Sequence, residues 1–213
     1  MRFVLERVSQ PEVEPVSLAE MKRHLREFAD ITENDDDITA LIIGGRQWVE
    51  HETGRALVDQ SWRLTLTDKF GVSDSVAAPD CCGFLHPLAS EIQLRRSPVL
   101  SITEFVTVDA LGDEVEIDAD TYELREADSK WPKLVGLSGA SWGSGTFRIT
   151  FRAGFADRTA SPGEDVSVIP VTLRQAIKLW VEANYDRDEK TMKLLLDTAE
   201  RLIESERCHF GLA

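Results

Sequence analysis

The chain of 213 residues is 42% hydrophobic and 29% charged, a composition typical of a globular protein and not of a disordered one. Asp and Glu number 38 against 24 Lys and Arg, and the formal net charge of −14 argues against tight direct binding to nucleic acid or anionic lipid. The apolar runs are too short to span a membrane, and the 3 cysteines, two of them adjacent, indicate reduced thiols in a cytosolic setting.

The N-terminal part predicts an extended lead-in followed by a helix. Two prolines disfavour helix over residues 1–16, and the charges within the short apolar run there argue against a signal peptide. Ser17 to Glu20 have the spacing of a capping box, in which Ser17 and Glu20 each satisfy a backbone amide. Apolar residues at helical intervals then extend this first helix to about Phe28.

An acidic turn at residues 30–37 has two interpretations. Asp30, Asn34 and Asp36 offer oxygen ligands for calcium, but their spacing lacks the central glycine and terminal glutamate of the twelve-residue calcium loop. Acidic side chains are also favoured at a helix start, where the positive end of the helix dipole lies. We therefore expect a solvated turn that caps the second helix.

The stretch from Asp35 to Leu66 predicts a helix that leads into a strand. Its apolar residues first recur at steps of three and four, stop at Gly54, and then alternate in steps of two. The helical stripe comprises Ile38, Leu41, Ile42, Trp48 and Val49, and the strand face comprises Trp62, Leu64 and Leu66. Within the helix, Gly44 and Gly45 each cost about 1 kcal/mol relative to alanine, so either a neighbouring helix approaches closely or the helix kinks.

The middle of the chain predicts a lobe of about six antiparallel strands. Short β-branched or aromatic runs are separated by clusters of Gly, Pro, Asp and Ser. The runs are Trp62–Leu66, Ile92–Leu94, Ile102–Val108, Val115–Ile117, Tyr122–Leu124 and Phe147–Phe151. Residues 71–82 and 153–165 read as long loops.

Helical periodicity returns near the C-terminus. Pro170 suits a first helical turn, Thr172 to Gln175 repeat the capping-box spacing, and a last helix carries an apolar stripe that includes Leu202 and Ile203. The predicted fold class is α+β. Residues 1–58 and 166–213 form a helical lobe of about four helices made by both chain ends, and residues 59–165 form an inserted antiparallel β lobe.

Candidate chemical groups are few and scattered. Cys81, Cys82 and His86 could supply three zinc ligands, but a structural site needs four, and no CxxC pair is present. Cys208 and His209 are adjacent, and adjacent side chains seldom face each other as nucleophile and base. Gly136–Ala140 lacks the final glycine of a nucleophile elbow. We therefore predict no catalytic residue, no metal and no cofactor.

The 5 tryptophans divide into two groups. Trp48, Trp62 and Trp180 fall on apolar faces, where a core position is the usual role. Trp131 and Trp142 lie in surroundings rich in Gly and Ser, so that each is either an interface aromatic or an ordinary buried one.

Several short segments, in this order, resemble the head–tail connector (adaptor) proteins of long-tailed bacteriophages and gene transfer agents. They are the Pro15–Glu20 opening, the acidic turn, Trp48–Glu50 with Thr53–Leu57, Gln60–Trp62, and the helix start at Ile169–Leu173 with Ala176–Ile177 and Tyr185–Arg187. Gly44 and Gly45 depart from the family, which more usually has Ala there. The resemblance covers most of the chain.

The resemblance implies a structural virion protein that forms a ring beneath the portal and links it to a head-completion or tail protein. The ring would contain about a dozen copies, assembled in the bacterial cytoplasm, with DNA passing through without specific binding. In connectors of this family the C-terminal segment reaches the portal. The resemblance therefore implies that the portal contacts in this chain are Arg201, Leu202, Ile203, Arg207, Phe210 and Leu212. By periodicity alone, Leu202 and Ile203 could equally complete the core stripe.

Two other functions are compatible with the sequence. A small-ligand-binding or hydrolytic enzyme could use the β lobe as a cleft, and a ligand-stabilised monomer would favour it over a connector. Another head-completion or tail-tube protein would differ from a connector in the neighbour that it binds.

Overall fold

Helices and antiparallel strands form two separate units. The computed structural model describes residues 2–67, 91–109, 111–137, 142, 145–155, 168–185 and 188–208. The strands are β1 (Arg2–Arg7), β2 (Gln60–Thr67), β3 (Glu91–Gln93), β4 (Val99–Val108), β5 (Glu114–Glu116), β6 (Tyr122–Arg125), β7 (Lys133–Gly136) and β8 (Thr146–Ala153). The helices are α1 (Leu18–Leu25), α2 (Asp35–Thr53), α3 (Val171–Tyr185) and α4 (Glu189–Ile203). The predicted α+β class is confirmed.

The sheet unit contains a five-stranded sheet in the order β1-β2-β8-β4-β5 and a three-stranded sheet in the order β3-β7-β6. In the larger sheet, Leu64 pairs with Leu5 on one side and with Ile149 on the other, and Ile149 pairs with Phe105. This row of aligned apolar residues lies on the same face as the buried Trp62. The two-residue alternation predicted for β2 is confirmed by its burial pattern.

Two strands were not predicted from the sequence. Residues 1–16 were expected to be an extended lead-in to the helical lobe, but Arg2–Arg7 pairs with β2 along its whole length and is the edge strand of the larger sheet. Lys133–Gly136 contributes only two buried apolar residues, Leu134 and Val135, which is too short a run for a clear period.

The helical unit is built by α1 and α2 from the N-terminal half and by α3 and α4 from the C-terminal half, as predicted. α2 and α3 pack together, α1 packs on both, and α4 packs on α3 and on α2. Their apolar stripes share one buried core. It contains Val16, Met21, Ile38, Ile42, Val49, Leu57, Val58, Ile169, Leu173, Ala176, Ile177, Val181, Ala199 and Ile203.

The first helix is shorter than predicted, and its capping box is half formed. α1 ends at Leu25 because Arg26 adopts a left-handed conformation with φ of 60°, and Phe28 is 72% exposed instead of lying in the apolar stripe. At the other end, Ser17 Oγ accepts a hydrogen bond from the amide of Glu20 at 3.2 Å, as expected. The Glu20 carboxylate does not reach back, since it binds Arg174 at 2.7 Å and Lys178 at 2.6 Å.

The start of α3 also differs from the prediction. Pro170 precedes the helix, and its carbonyl accepts hydrogen bonds from the amides of Leu173 at 3.0 Å and Arg174 at 3.2 Å. Thr172 therefore lies inside the first turn, not at the cap position that the capping-box spacing had suggested.

Candidate functional site

The residues predicted to contact a portal lie at the end of α4 and just beyond it. Ile203 is completely buried in the helical core, Leu202 packs against that core, and Arg201 is exposed. Ile203 therefore completes the core stripe, which was the alternative assignment from periodicity. Phe210 and Leu212 lie outside the described residues.

A docked segment, defined as Glu204–Cys208, follows α4 and lies on the end of α2. α2 ends because Gly54 has a φ of 71°, and this leaves carbonyls of the last turn without helical partners. The amide of Cys208 donates to the Thr53 carbonyl at 2.7 Å, and Arg207 Nη2 donates to Glu52 Oε2 at 2.9 Å. The Arg207 guanidinium and the Cys208 amide thus bind at the C-terminal end of α2, where the helix dipole is negative.

A second ion pair holds the docked segment from the other side of Gly54. Arg55, which is buried, pairs with Glu206, and its guanidinium carbon lies 4.7 Å from the centre of the Phe155 ring. Residues 206 to 208 are therefore fixed to residues 52 to 55 by side-chain and backbone contacts. The sequence gives no signal for this contact because the partners lie about 150 residues apart.

A buried ion network fixes the part of the chain to which the docked segment binds. Arg46 Nη1 donates to Glu50 Oε2 at 3.0 Å, and Arg46 Nε donates to Glu14 Oε2 at 2.8 Å. The other Glu50 oxygen accepts from the Leu57 amide at 3.0 Å. Because Arg46 and Glu50 are both buried, this network ties the lead-in, α2 and the chain after Gly54 to one geometry.

The two candidate interface tryptophans belong to the sheet unit. Trp131 is 38% exposed. Trp142 is half-buried and packs edge-on against Phe105, with ring centres 5.2 Å apart. Phe105 also contacts Tyr122, and burial, followed by the charges of nearby Glu116 and Asp118, raises the pKa of Tyr122. Trp142 thus belongs to an aromatic cluster, whereas the interface role of Trp131 stays a prediction.

The described residues offer open depressions and no arrangement for metal chemistry. A depression of about 570 Å³ is lined by Asp197, Glu200, Arg201, Glu204 and Arg207. Another of about 420 Å³ is lined by Asp37, Ala40, Leu41, Asn184 and Tyr185. No group of three His, Cys, Asp or Glu side chains in the described ranges could hold a metal ion. The considered zinc ligands Cys81, Cys82 and His86 lie outside those ranges.

No helix in the described part of the chain combines the length and the apolar character that crossing a bilayer requires.

Solved particle structures contain chains with this fold. No family model and no curated protein matches the sequence. A chain in the neck of an empty gene transfer agent particle, computed with C6 symmetry, is 25% identical with a TM-score of 0.68, over 93% of this chain and 94% of that chain. A chain in the virion of the native particle is 24% identical with a TM-score of 0.72, over 99% and 98%.

A third chain comes from the neck of the native particle computed with C12 symmetry. It is 23% identical with a TM-score of 0.70, over 99% of this chain and 98% of that chain. These matches confirm the resemblance that the short sequence segments had indicated, and they cover nearly the whole chain.

Proposed function

We propose that this chain, which has the fold of the gene transfer agent neck chains, is a structural adaptor at the head–tail junction of a phage or phage-like particle. The observation that carries the proposal is the extent of the match, since 99% of this chain aligns with 98% of a neck chain at a TM-score of 0.70. The similar chains are components of a particle, which supports a structural protein and not an enzyme.

The adaptor forms a ring of identical copies. Support comes from the neck assemblies that contain the similar chains, which were computed with C6 and C12 symmetry. A closed ring needs two different, complementary surfaces on every copy. The net charge of −14 suits a ring around a DNA channel, because phosphate is repelled and does not stick to the wall.

The ring attaches to the portal through residues 209–213, which follow the docked segment in the sequence, together with Arg201 and Arg207. The docked segment holds Cys208 against Thr53. Burying Phe210 and Leu212 on a partner would contribute roughly 1.5–3 kcal/mol for each side chain. Because every copy in the ring makes the same contact, many weak contacts together give a stable attachment.

Truncation after Cys208 tests the portal contact. Deleting residues 201–213 would remove the buried Ile203 and the ion pairs of the docked segment. Deleting residues 209–213 spares both, so we expect an unchanged melting temperature and loss of co-purification with the portal. Leu111→Ser, which removes an exposed leucine in a turn of the sheet unit, is the control.

The position of the protein in an intact particle tests the proposal as a whole. We expect electron microscopy to locate it between the portal and the tail or head-completion protein. Truncated protein that still co-purifies with the portal would refute the assigned contact, and a location outside the neck would refute the adaptor function.

A further inference from the structure

The basic face at the C-terminal end of α1 comprises Arg23 and Arg26. Arg23 is exposed in the last turn of the helix, and Arg26, the exposed left-handed residue that follows Leu25, donates its amide to the Arg23 carbonyl at 3.3 Å. Neither Arg23 nor Arg26 pairs with a described acidic side chain, although the protein carries an excess of carboxylates. Two exposed cations are therefore available to a partner at this end of the helix.

The acidic face comprises Asp197 and Glu200 on α4 and Glu204 just after it. These exposed residues recur at steps of three and four and line the open depression of about 570 Å³ together with Arg201 and Arg207. Glu204 pairs with Arg207 at 3.4 Å. Asp197 and Glu200 form no ion pair with a described residue and neither does Arg201, so carboxylates exceed cations by one in the depression.

The two faces belong to different helices that both pack on α3. Arg174, Lys178 and Glu182, spaced four residues apart, form the side of α3 that makes ion pairs with α1. α4 also packs on α3. The basic and the acidic face are therefore two different surfaces of the helical unit.

We propose that Arg23 and Arg26, at the C-terminal end of α1 in one copy, pair with Asp197 and Glu200 on α4 of the next copy. The inference rests on the proposed ring and names its lateral contact. Copies that each carry a net charge of −14 repel one another, so association needs a local region of opposite charge. Two different faces that complement each other satisfy the head-to-tail contact of a closed ring.

Each face also carries an exposed apolar side chain for the contact. Phe28 follows α1 directly, and Leu194 is 67% exposed on α4, one turn before Asp197. The turn that carries Phe28 is held by Lys22, which donates to the carbonyls of Ala29 and Ile31. Exposed ion pairs alone contribute little to affinity, so they set orientation while the apolar side chains add buried area.

Reversing the charges on each face gives two complementary variants. One carries Arg23→Glu and Arg26→Glu, so that both its faces are acidic, and the other carries Asp197→Arg and Glu200→Arg, so that both are basic. By sedimentation velocity at low salt, we expect self-association of each variant alone to weaken by at least about tenfold. Mixing the two in equal amounts restores association, because each reversed face then meets a face of opposite charge.

A control variant separates the local contact from the change in total charge. Glu12→Arg with Glu33→Arg alters the net charge as much as the α4 variant does, at exposed positions outside both faces, and should leave association intact. Wild-type protein that stays monomeric at its highest soluble concentration, or variants whose mixture does not associate, would overturn the pairing. Neither result would contradict the adaptor function, which is tested separately by the position of the protein in the particle.

Discussion

Trp180 on α3 packs directly against the backbone of α2 at Gly45. A Cβ atom at Gly45 would lie 3.2 Å from Cε3 of Trp180 and 3.2 Å from Cγ2 of Ile177. At Gly44 the nearest atom would be Cη2 of Trp180, at 3.1 Å. The paired glycines therefore let two helices approach closely, which is the first of the two explanations that the sequence left open.

Alanine substitutions at the two glycines should have different effects. Gly45→Ala places a methyl group between two side chains and the α3 backbone, and we expect a net loss of about 1 kcal/mol after the gain in helix propensity. Gly44→Ala meets only the end of the half-buried Trp180 ring, which can shift, so it should be neutral or stabilising by up to about 1 kcal/mol. Urea unfolding of both variants measures the difference, and equal midpoints would contradict it.

Lys22 closes the turn between α1 and α2, and removing its charge should loosen that turn. Its Nζ donates to the carbonyls of Ala29 and Ile31 and to Asp35 Oδ1 at 2.7 Å, all from a buried position. Lys22→Met keeps the aliphatic stem but leaves these oxygens without their donor. We expect a loss of about 1.5–3 kcal/mol and faster hydrogen exchange over residues 29–35.

An exposed lysine provides the control for that substitution. Lys190 lies in the first turn of α4 and pairs with no described residue, so Lys190→Met should change stability by less than about 0.5 kcal/mol. If the two lysine variants unfold at the same urea concentration, Lys22 does not hold the turn.

Local signals explain why α2 was predicted well and α1 was not. The acidic first turn and Gly54 mark the ends of α2, and its apolar stripe is buried as its spacing requires. The spacing on α1 continues to Phe28, but the chain leaves the helix at Arg26 because Lys22 binds the carbonyls of the following turn. The helical spacing of apolar residues cannot show that a lysine side chain binds carbonyls of the following turn instead of pointing into solvent.

Contacts between distant parts of the chain account for the remaining differences. Glu20 has the spacing of a capping residue, yet it binds two cations that lie more than 150 residues away. The strand pairing of Arg2–Arg7 and the docking of Glu204–Cys208 likewise depend on where the chain returns in space. The sequence located the end of α4 as the candidate site through family resemblance, but it could not show which of its residues were buried.

The buried ion pair of Arg46 and Glu50 should matter more for the free energy of unfolding than an exposed ion pair does. Glu50→Ala leaves Arg46 with Glu14 as its one acceptor among the described residues, and it leaves the Leu57 amide without its carboxylate partner. Breaking a buried ion pair from one side costs about 3–5 kcal/mol, and we expect a loss of that size in urea unfolding.

A double-mutant cycle separates the pair from its other contacts. Arg46→Met removes the cation, and the loss in Arg46→Met/Glu50→Ala should be smaller than the sum of the two single losses by at least about 1 kcal/mol. Additive losses would mean that the two side chains do not stabilise each other.

Glu20 should make stability depend on pH in the acidic range. Burial acts to raise the pKa of Glu20, but hydrogen bonds and charges from Lys178 and Arg174 outweigh it and hold the pKa below the usual 4.5. A carboxyl with a lowered pKa in the folded state contributes its full stability above the unfolded pKa and loses it as the pH falls through the folded pKa. The contribution is therefore present at neutral pH and disappears below about pH 4.5.

Comparing wild type with Glu20→Gln across this range tests that dependence. Glutamine can still accept one hydrogen bond but carries no charge, so we expect the variant to be less stable by roughly 1–2 kcal/mol at pH 7. The difference should shrink steadily as the pH falls below 4.5, where the wild-type carboxyl also becomes neutral. Glu33→Gln, which changes an exposed carboxyl in the acidic turn, is the control and should be as stable as the wild type at pH 7. A difference for Glu20→Gln that is constant with pH would mean that the two cations do not stabilise the charged form of Glu20.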